Sequence, residues 1–411
     1  MFEEDSKEEE MKDYSLITPE GTKDFLFAEC GTRRAIERTI EDIWRSRGYT
    51  EVITPVVEFF DVFNRRESSF PQEQMYKLVD RKGRLLVIRP DSTMPIARMV
   101  ATRLKDAALP LRLYYNQCVY INSPLLKGRS NQIAQTGIEL IGSSSRLADL
   151  EVISAAIDVL SACSKDGFSL ELGNIGVFKE LMRQLNVSVD VEEQIRQLIE
   201  EKNYPALSDT LDTIGDNDIT RALKKLPRLF GGAEVFDKAA KLFADEKITA
   251  LLDNLRSVYE EAASLCDTGV VTVDLGMVGR TDYYTGIILK GYLSGCGDAV
   301  LSGGRYDKLL AVYGYDVPAT GFAVHVDAIT GLHAKQGALS TAKHCDILVY
   351  AEEEYATAAI RKARALRAEG KIVELSLQDS LEAARLYAKE NGIPALVVID
   401  KNDEEEKQDA E

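Results

Sequence analysis

The stretch NQIAQTGIELIG (131–142) puts polar groups on an otherwise apolar strand. Side chains alternate across a strand, so Gln135, Gly137 and Glu139 share one face. An amide and a carboxylate separated by four residues of rise, roughly 13 Å, then flank a residue with no side chain. That describes a trough able to take a small polar molecule across Gly137, and equally a solvated strand face. RPDSTMPIAR (89–98) sets Asp91 and Thr93 where a strand becomes a helix, which suits ligand contact or simple capping. In GRTDYYTG (279–286), strand alternation sends Tyr283 and Tyr284 to opposite faces, one toward a pocket and one into packing. SGGRYDKLL (302–310) joins a glycine pair to Arg305 and Asp307, without the spacing or the Lys-Ser/Thr pair of a phosphate-cradling loop.

These residues need elements to position them. Ile36, Ile40, Ile43 and Trp44 recur at helical spacing, and the pattern stops at Gly48. YTEVITPVVEFF reads as a strand broken by Pro55. RLLVIRPDSTMPIARMVATRL is a strand, a turn and a helix capped by Asp91 or Ser92, with Pro95 in its first turn. LRLYYNQCVYI and the stretch around Glu139 are strands, and RLADLEVISAAIDVLSAC is a helix. Residues about 176–266 are helix-like throughout and read as an insertion, after which strands resume. From Cys345 the order is βαβαβ with parallel pairing. The fold class is therefore α+β: an antiparallel or mixed sheet flanked by helices, with a helical insertion and a small C-terminal α/β module. The expected divisions are a disordered acidic 1–13, a core over 14–335, a module over 345–400 and an acidic tail over 401–411.

The chain has 411 residues, 45% hydrophobic and 28% charged, ordinary for a globular protein with two or three domains. No apolar run is long enough for a bilayer, and MFEEDSKEEE lacks the apolar core of a signal peptide, so a cytoplasmic location is expected. The six cysteines are scattered as in a reducing compartment, and His325, His333 and His344 lack ligand spacing, so no metal is expected. A net charge of −17 opposes a polynucleotide partner.

Taken in order, TPEGTKDF, GYTEVITPVVE, RPDSTMPIAR, KGRSNQIAQTGIELIG, DYYTG, SGGRYDKLL and ATGFAVHVDAI resemble the catalytic core of class II aminoacyl-tRNA synthetases, specifically histidyl-tRNA synthetase, over about residues 14–335. The resemblance implies a histidine pocket of Asp91, Thr93, Gln135, Glu139, Tyr283 and Tyr284, with Arg280 and Arg305 in support. Such carboxylate, amide and phenol groups suit a ligand with an ammonium and two ring nitrogens. It also implies a homodimer through the helix and strand around residues 36–57.

The sequence departs from that family where ATP is held. The two phosphate-binding arginines are replaced by Ile121 and Ala328, and a nucleotide-placing glutamate by Ser123; apart from these, the family's arginine three residues before DYY, expected near the ligand carboxylate, is Gly279 here, with Arg280 displaced by one. Lost charge-assisted contacts of about 1.5–3 kcal/mol each also remove charge where adenylation builds it. Lys127, Arg129, Arg280 and Arg305 remain. The C-terminal module resembles the start of an anticodon-binding domain, yet from Cys345 onward nine Lys/Arg face sixteen Asp/Glu, and a tRNA-gripping surface should be basic. The combination resembles the non-catalytic branch that regulates ATP phosphoribosyltransferase, the first enzyme of histidine biosynthesis. That resemblance implies the short-form catalytic subunit as partner, L-histidine as feedback effector, commonly a hetero-octamer, and no cofactor. A divergent synthetase, or a histidine-binding protein with another role, are the alternatives.

Overall fold

The computed structural model describes residues 13–65, 68–123, 130–267, 269–279, 283–338 and 345–400. The expectations for 1–12, 401–411, Lys127, Arg129, Arg280 and His344 lie outside the described residues. The chain divides into two compact units, Met1–Leu339 and Ser340–Glu411.

The first unit opens with α1 (Phe27–Ser46), β1 (Thr50–Glu51) and a small sheet of β2 (Val57–Phe59), β3 (Tyr76–Val79) and β4 (Leu85–Ile88). Then come α2 (Thr93–Arg103), β5 (Leu111–Tyr120), β6 (Gln132–Ile141), α3 (Arg146–Cys163) and β7 (Phe168–Asn174). The helical insertion follows as α4 (Ile175–Leu185), α5 (Val189–Glu200), α6 (Tyr204–Ile214), α7 (Asp218–Lys225), β8 (Phe230–Gly231), α8 (Glu234–Ala240) and α9 (Glu246–Ala263). β9 (Val271–Asp274), β10 (Ile287–Leu293), β11 (Leu301–Arg305), β12 (Ala319–His325) and α10 (Val326–Lys335) complete the unit.

Nine strands form one sheet in the order β1-β5-β6-β12-β11-β10-β7-β9-β8. Pairing is parallel only at β1–β5 and β7–β9, so the sheet is mixed. β6 lies inside it, and Thr136 through Ile141 are buried. One sheet face packs on α1, α3 and the insertion in a single apolar cluster. Trp44 is fully buried there, donates to Thr136 Oγ1 at 3.0 Å and meets Phe322 edge-on at 5.5 Å. Burial of an indole with its N–H satisfied is what a core position demands.

In the small sheet, Val57 and Phe59 on β2, Leu86 and Ile88 on β4 and Leu78 on β3 stand in register on one face. Val57, Phe59 and Leu78 are more than 40% exposed there.

The second unit contains β13 (Ile347–Ala351), α11 (Ala356–Ala368), β14 (Val373–Leu375), α12 (Leu381–Glu390) and β15 (Ala395–Ile399). Its strands run parallel in the order β14-β13-β15, the βαβαβ arrangement expected from the sequence.

Candidate ligand cavity

Asp91 and Thr93 sit at the start of α2. Ser92 takes the N-cap position without a side-chain capping bond, and Asp91 Oδ1 instead accepts the Met94 N–H at 2.7 Å. The cap is therefore Asp91, and capping aims its carboxylate toward β6. Thr93 Oγ1 donates to Glu139 Oε1 at 2.7 Å, and the Tyr306 hydroxyl donates to Glu139 Oε2. Gly321, beside Glu139 in the β6–β12 register, makes room for this carboxylate: a Cβ there would lie 2.2 Å from Glu139 Oε2.

These groups enclose a cavity of about 120 Å³ lined by Asp91, Thr93, Tyr115, Gln135, Glu139 and Tyr283, among others. Tyr284, Ser302, Tyr306 and the Gly321–Ala323 stretch complete its wall. The structure thus brings together six residues proposed from sequence, drawn from three separate segments of the chain. Burial raises the Asp91 carboxyl to about 6, against the lowering pull of its hydrogen bonds. Burial raises Glu139 further, to about 8, with hydrogen bonds from Tyr306 and Thr93 opposing. Burial also holds the phenols of Tyr115, Tyr283 and Tyr306 well above the usual tyrosine range. Near neutral pH the cavity therefore offers one carboxylate, one protonated carboxyl and three neutral phenols. It suits a small ligand with one cationic group and a polar ring. Among the described lining residues there is no Lys or Arg.

Three expectations are corrected. Gly137 is not the floor of an open trough, because Tyr115 stands opposite it on β5. A Cβ on Gly137 would lie 2.6 Å from the Tyr115 hydroxyl and 2.5 Å from the Phe322 carbonyl. The glycine admits the phenol, and the phenol lines the cavity. Tyr283 and Tyr284 do not diverge across a sheet: β10 begins only at Ile287, both rings reach the cavity, and their centroids are 5.0 Å apart. Arg305 does not line the cavity. Its guanidinium is tied to Asp149 at 2.8 Å, to Asp307 at 3.0 Å and to the Ser143 carbonyl at 3.1 Å.

Sequence reasoning missed Tyr115 and Tyr306. Tyr306 follows Arg305 and falls on the Ser302–Gly304 side of β11, so strand parity alone could have found it. His325, paired with Gln135, places Nε2 3.4 Å from the Gln135 amide nitrogen.

Where the resembled family holds triphosphate, Ile121 is half-buried just past β5 and its N–H donates to Asn131 O at 2.8 Å. Ala328, on α10, packs against the main core. The Ser123 N–H donates to Asn131 Oδ1 at 3.2 Å. Gly279 adopts a left-handed φ of 61°. No side chain among these four carries a charge.

Comparison with known proteins agrees with this architecture. The histidyl-tRNA synthetase family model matches residues 21–329. The ATP phosphoribosyltransferase regulatory subunit of Clostridium kluyveri is 40% identical over 391 residues, covering 94% of this chain and all of that one. A crystal structure described as an ATP phosphoribosyltransferase regulatory subunit/histidyl-tRNA synthetase from Bacillus halodurans superposes with a TM-score of 0.81 at 30% identity, covering 94% of this chain and 99% of that one. Histidyl-tRNA synthetase from Nostoc superposes at TM-score 0.74 and 22% identity over 92% of this chain and 90% of its own, a likeness of fold.

Proposed function

The chain belongs to the family of ATP phosphoribosyltransferase regulatory subunits, and from that membership we propose that it reads histidine in its synthetase-like cavity and passes that signal to a short-form catalytic subunit. It is the non-catalytic partner in the first step of histidine biosynthesis. The observation that carries the histidine reading is the carboxyl pair Asp91 and Glu139 in one cavity with Thr93, Gln135 and the tyrosines, in a chain whose Ile121 and Ala328 are uncharged. An amino-acid cleft with no described cation at those two positions can bind without adenylating. Asp91 takes the α-ammonium, and Glu139 with Gln135 and the phenols takes the imidazole.

Feedback requires histidine to bind the inhibited arrangement of the complex more tightly than the active one, and the coupling is reciprocal. The complex is a cytoplasmic hetero-oligomer, commonly an octamer, built on a homodimer of this chain. The exposed apolar face of β2, β3 and β4 supports that homodimer. The acidic second unit supports a protein that does not grip tRNA. Among the described residues no helix is long and apolar enough to cross a membrane.

Calorimetry of the purified chain with histidine and, separately, with ATP tests the cavity. Histidine heat without ATP heat is the expected result, and histidine-dependent ATP–pyrophosphate exchange would replace this reading with an active synthetase. A pull-down with the short catalytic subunit tests the partnership; no complex and no effect on phosphoribosyl transfer would leave a histidine-binding protein of another role.

A further inference from the structure

The backbone that presents the two cavity tyrosines is held from outside the sheet. Lys179, on α4, donates from Nζ to the Tyr284 carbonyl at 2.6 Å. Arg196, on α5, donates from its guanidinium to the Gly279 carbonyl at 2.9 Å. Gly279 lies four residues before Tyr283. Both cations belong to the helical insertion, and neither lines the cavity.

Arg196 is built to hold still. Its side chain is 15% exposed and is clamped on its own helix by Glu193 at 2.5 Å and Glu200 at 3.0 Å. Those two carboxylates fix the rotamer, so little side-chain freedom is lost on reaching Gly279. Further links tie the segment to the sheet: the Ile175 N–H donates to the Gly286 carbonyl at 3.1 Å, the Thr285 N–H to the Arg305 carbonyl at 2.7 Å, and the Asp307 N–H to Thr285 Oγ1 at 3.0 Å. Those links fix where the strand rejoins the sheet. The Tyr284 and Gly279 carbonyls are gripped by the insertion's cations.

We propose that Lys179 and Arg196 are positioning residues of the ligand cavity, through which the helical insertion sets the placement of Tyr283 and Tyr284. Carbonyls gripped by charged donors fix the backbone, and the backbone fixes two rings 5.0 Å apart against the ligand. By reciprocity, a ligand that orders the tyrosines also steadies α4 and α5. The insertion is then the part of the fold through which occupancy of the cavity reaches the outer surface. This inference rests on the histidine reading of the cavity for its ligand, and on the hydrogen bonds alone for its geometry.

The test uses the full chain with Lys179→Met, Arg196→Met and Lys179→Arg, and with Arg183→Met on α4 as control, since Arg183 pairs with Glu180 on its own helix. Calorimetry with histidine is expected to show about 3- to 10-fold weaker binding for each Met variant, from partly exposed charge-assisted bonds. Lys179→Arg should restore affinity to within about twofold, and Arg183→Met should match the parent. Hydrogen exchange of the ligand-free chain should be faster over residues 283–286 in the Met variants, with an unchanged melting temperature. Parental affinity and parental exchange in both Met variants would overturn the proposal. Should the parent give no histidine heat, the histidine reading falls by itself, and exchange alone decides: faster exchange upholds the positioning role and unchanged exchange ends it.

Discussion

Thr93 Oγ1 donates to Glu139 Oε1 at 2.7 Å, joining the first residue of a helix to an interior strand of the large sheet. With Tyr306 on the second oxygen, Glu139 is held from both sides and is 1% exposed. The carboxyl is thus preorganised before any ligand arrives. Replacing it by an amide keeps the shape and removes the carboxyl that a bound cation would ionise. Glu139→Gln should weaken histidine binding by about ten- to a hundredfold, the worth of a charge-assisted bond of about 1.5–3 kcal/mol. Co-purification with the catalytic subunit should be unchanged, and phosphoribosyl transfer should lose its sensitivity to histidine. Calorimetry together with an inhibition curve checks both.

The two cavity carboxyls also predict proton release. Their values in the fold, about 6 for Asp91 and about 8 for Glu139, lie above the ordinary 3.8 and 4.5. For the empty protein, their contribution to stability is full below the ordinary values. It is lost as pH rises through about 6 and then about 8. A bound ammonium favours the ionised forms and pulls both values down, so binding expels protons. Histidine affinity should therefore rise from about pH 6.5 to pH 8, where the free imidazole is itself neutral. At pH 7.5, calorimetry in two buffers of different ionisation enthalpy should show net proton release. Net uptake would mean that the ligand's cation lies elsewhere.

Strand alternation was enough to place Gln135 and Glu139 together, because a period of two needs no partner to be read. The helix start at Thr93 was legible from RPDSTMP, since cap chemistry is local. The occupant of Gly137 was not legible: it is Tyr115, and which residue faces a glycine depends on the register with β5. The Tyr283–Tyr284 pair misled for the opposite reason. An aromatic dipeptide before IILKGYL looks like more strand, yet the chain is still turning there, so alternation did not apply. Arg305 drew attention by its charge, but charge does not reveal which face of a strand a residue takes. Its neighbour Tyr306 takes the cavity side.

Gly321 is a strict requirement of the packing. A Cβ there would lie 2.2 Å from both Glu139 Oε2 and the Ile138 carbonyl, and the second of these is backbone. Gly321→Ala must therefore push β12 away from β6 or expel the Glu139 carboxyl. Overpacking of this kind costs about 1–3 kcal/mol. The melting temperature should fall, and histidine binding should be lost with it. A variant of parental stability and parental affinity would contradict this close approach.

Asp149 and Arg305 form an ion pair whose side chains are each 9% exposed. They lie away from the cavity, so their contribution is to the fold. Removing one partner of a buried pair leaves an uncompensated charge and costs about 3–5 kcal/mol. Arg305→Met should lower the denaturation midpoint accordingly. The double variant Arg305→Met with Asp149→Leu should recover much of the loss, because the more buried of the two carboxylates that Arg305 pairs with is then gone. Chemical denaturation of the parent, the single and the double variant measures the difference.

The apolar face of the small sheet provides the last test. Val57, Phe59, Leu78, Leu86 and Ile88 share one side of β2, β4 and β3, and Phe59 is 43% exposed under the Arg84 guanidinium, 4.8 Å from its ring centroid. A contiguous exposed apolar face is what a subunit contact needs, and a charge placed in its middle would be desolvated without a partner. Its opposite side is different: Glu58 and Val87 are buried, and Arg98 pairs with Glu58 at 2.6 Å, so that side is already occupied within the chain. Phe59→Glu should therefore leave the fold and its melting behaviour nearly unchanged while shifting the isolated chain from dimer to monomer in sedimentation velocity. Because the proposed hetero-oligomer is built on that dimer, the same variant should form only smaller complexes with the catalytic subunit. A dimer that persists in Phe59→Glu would place the self-contact on another face, with the cavity chemistry untouched.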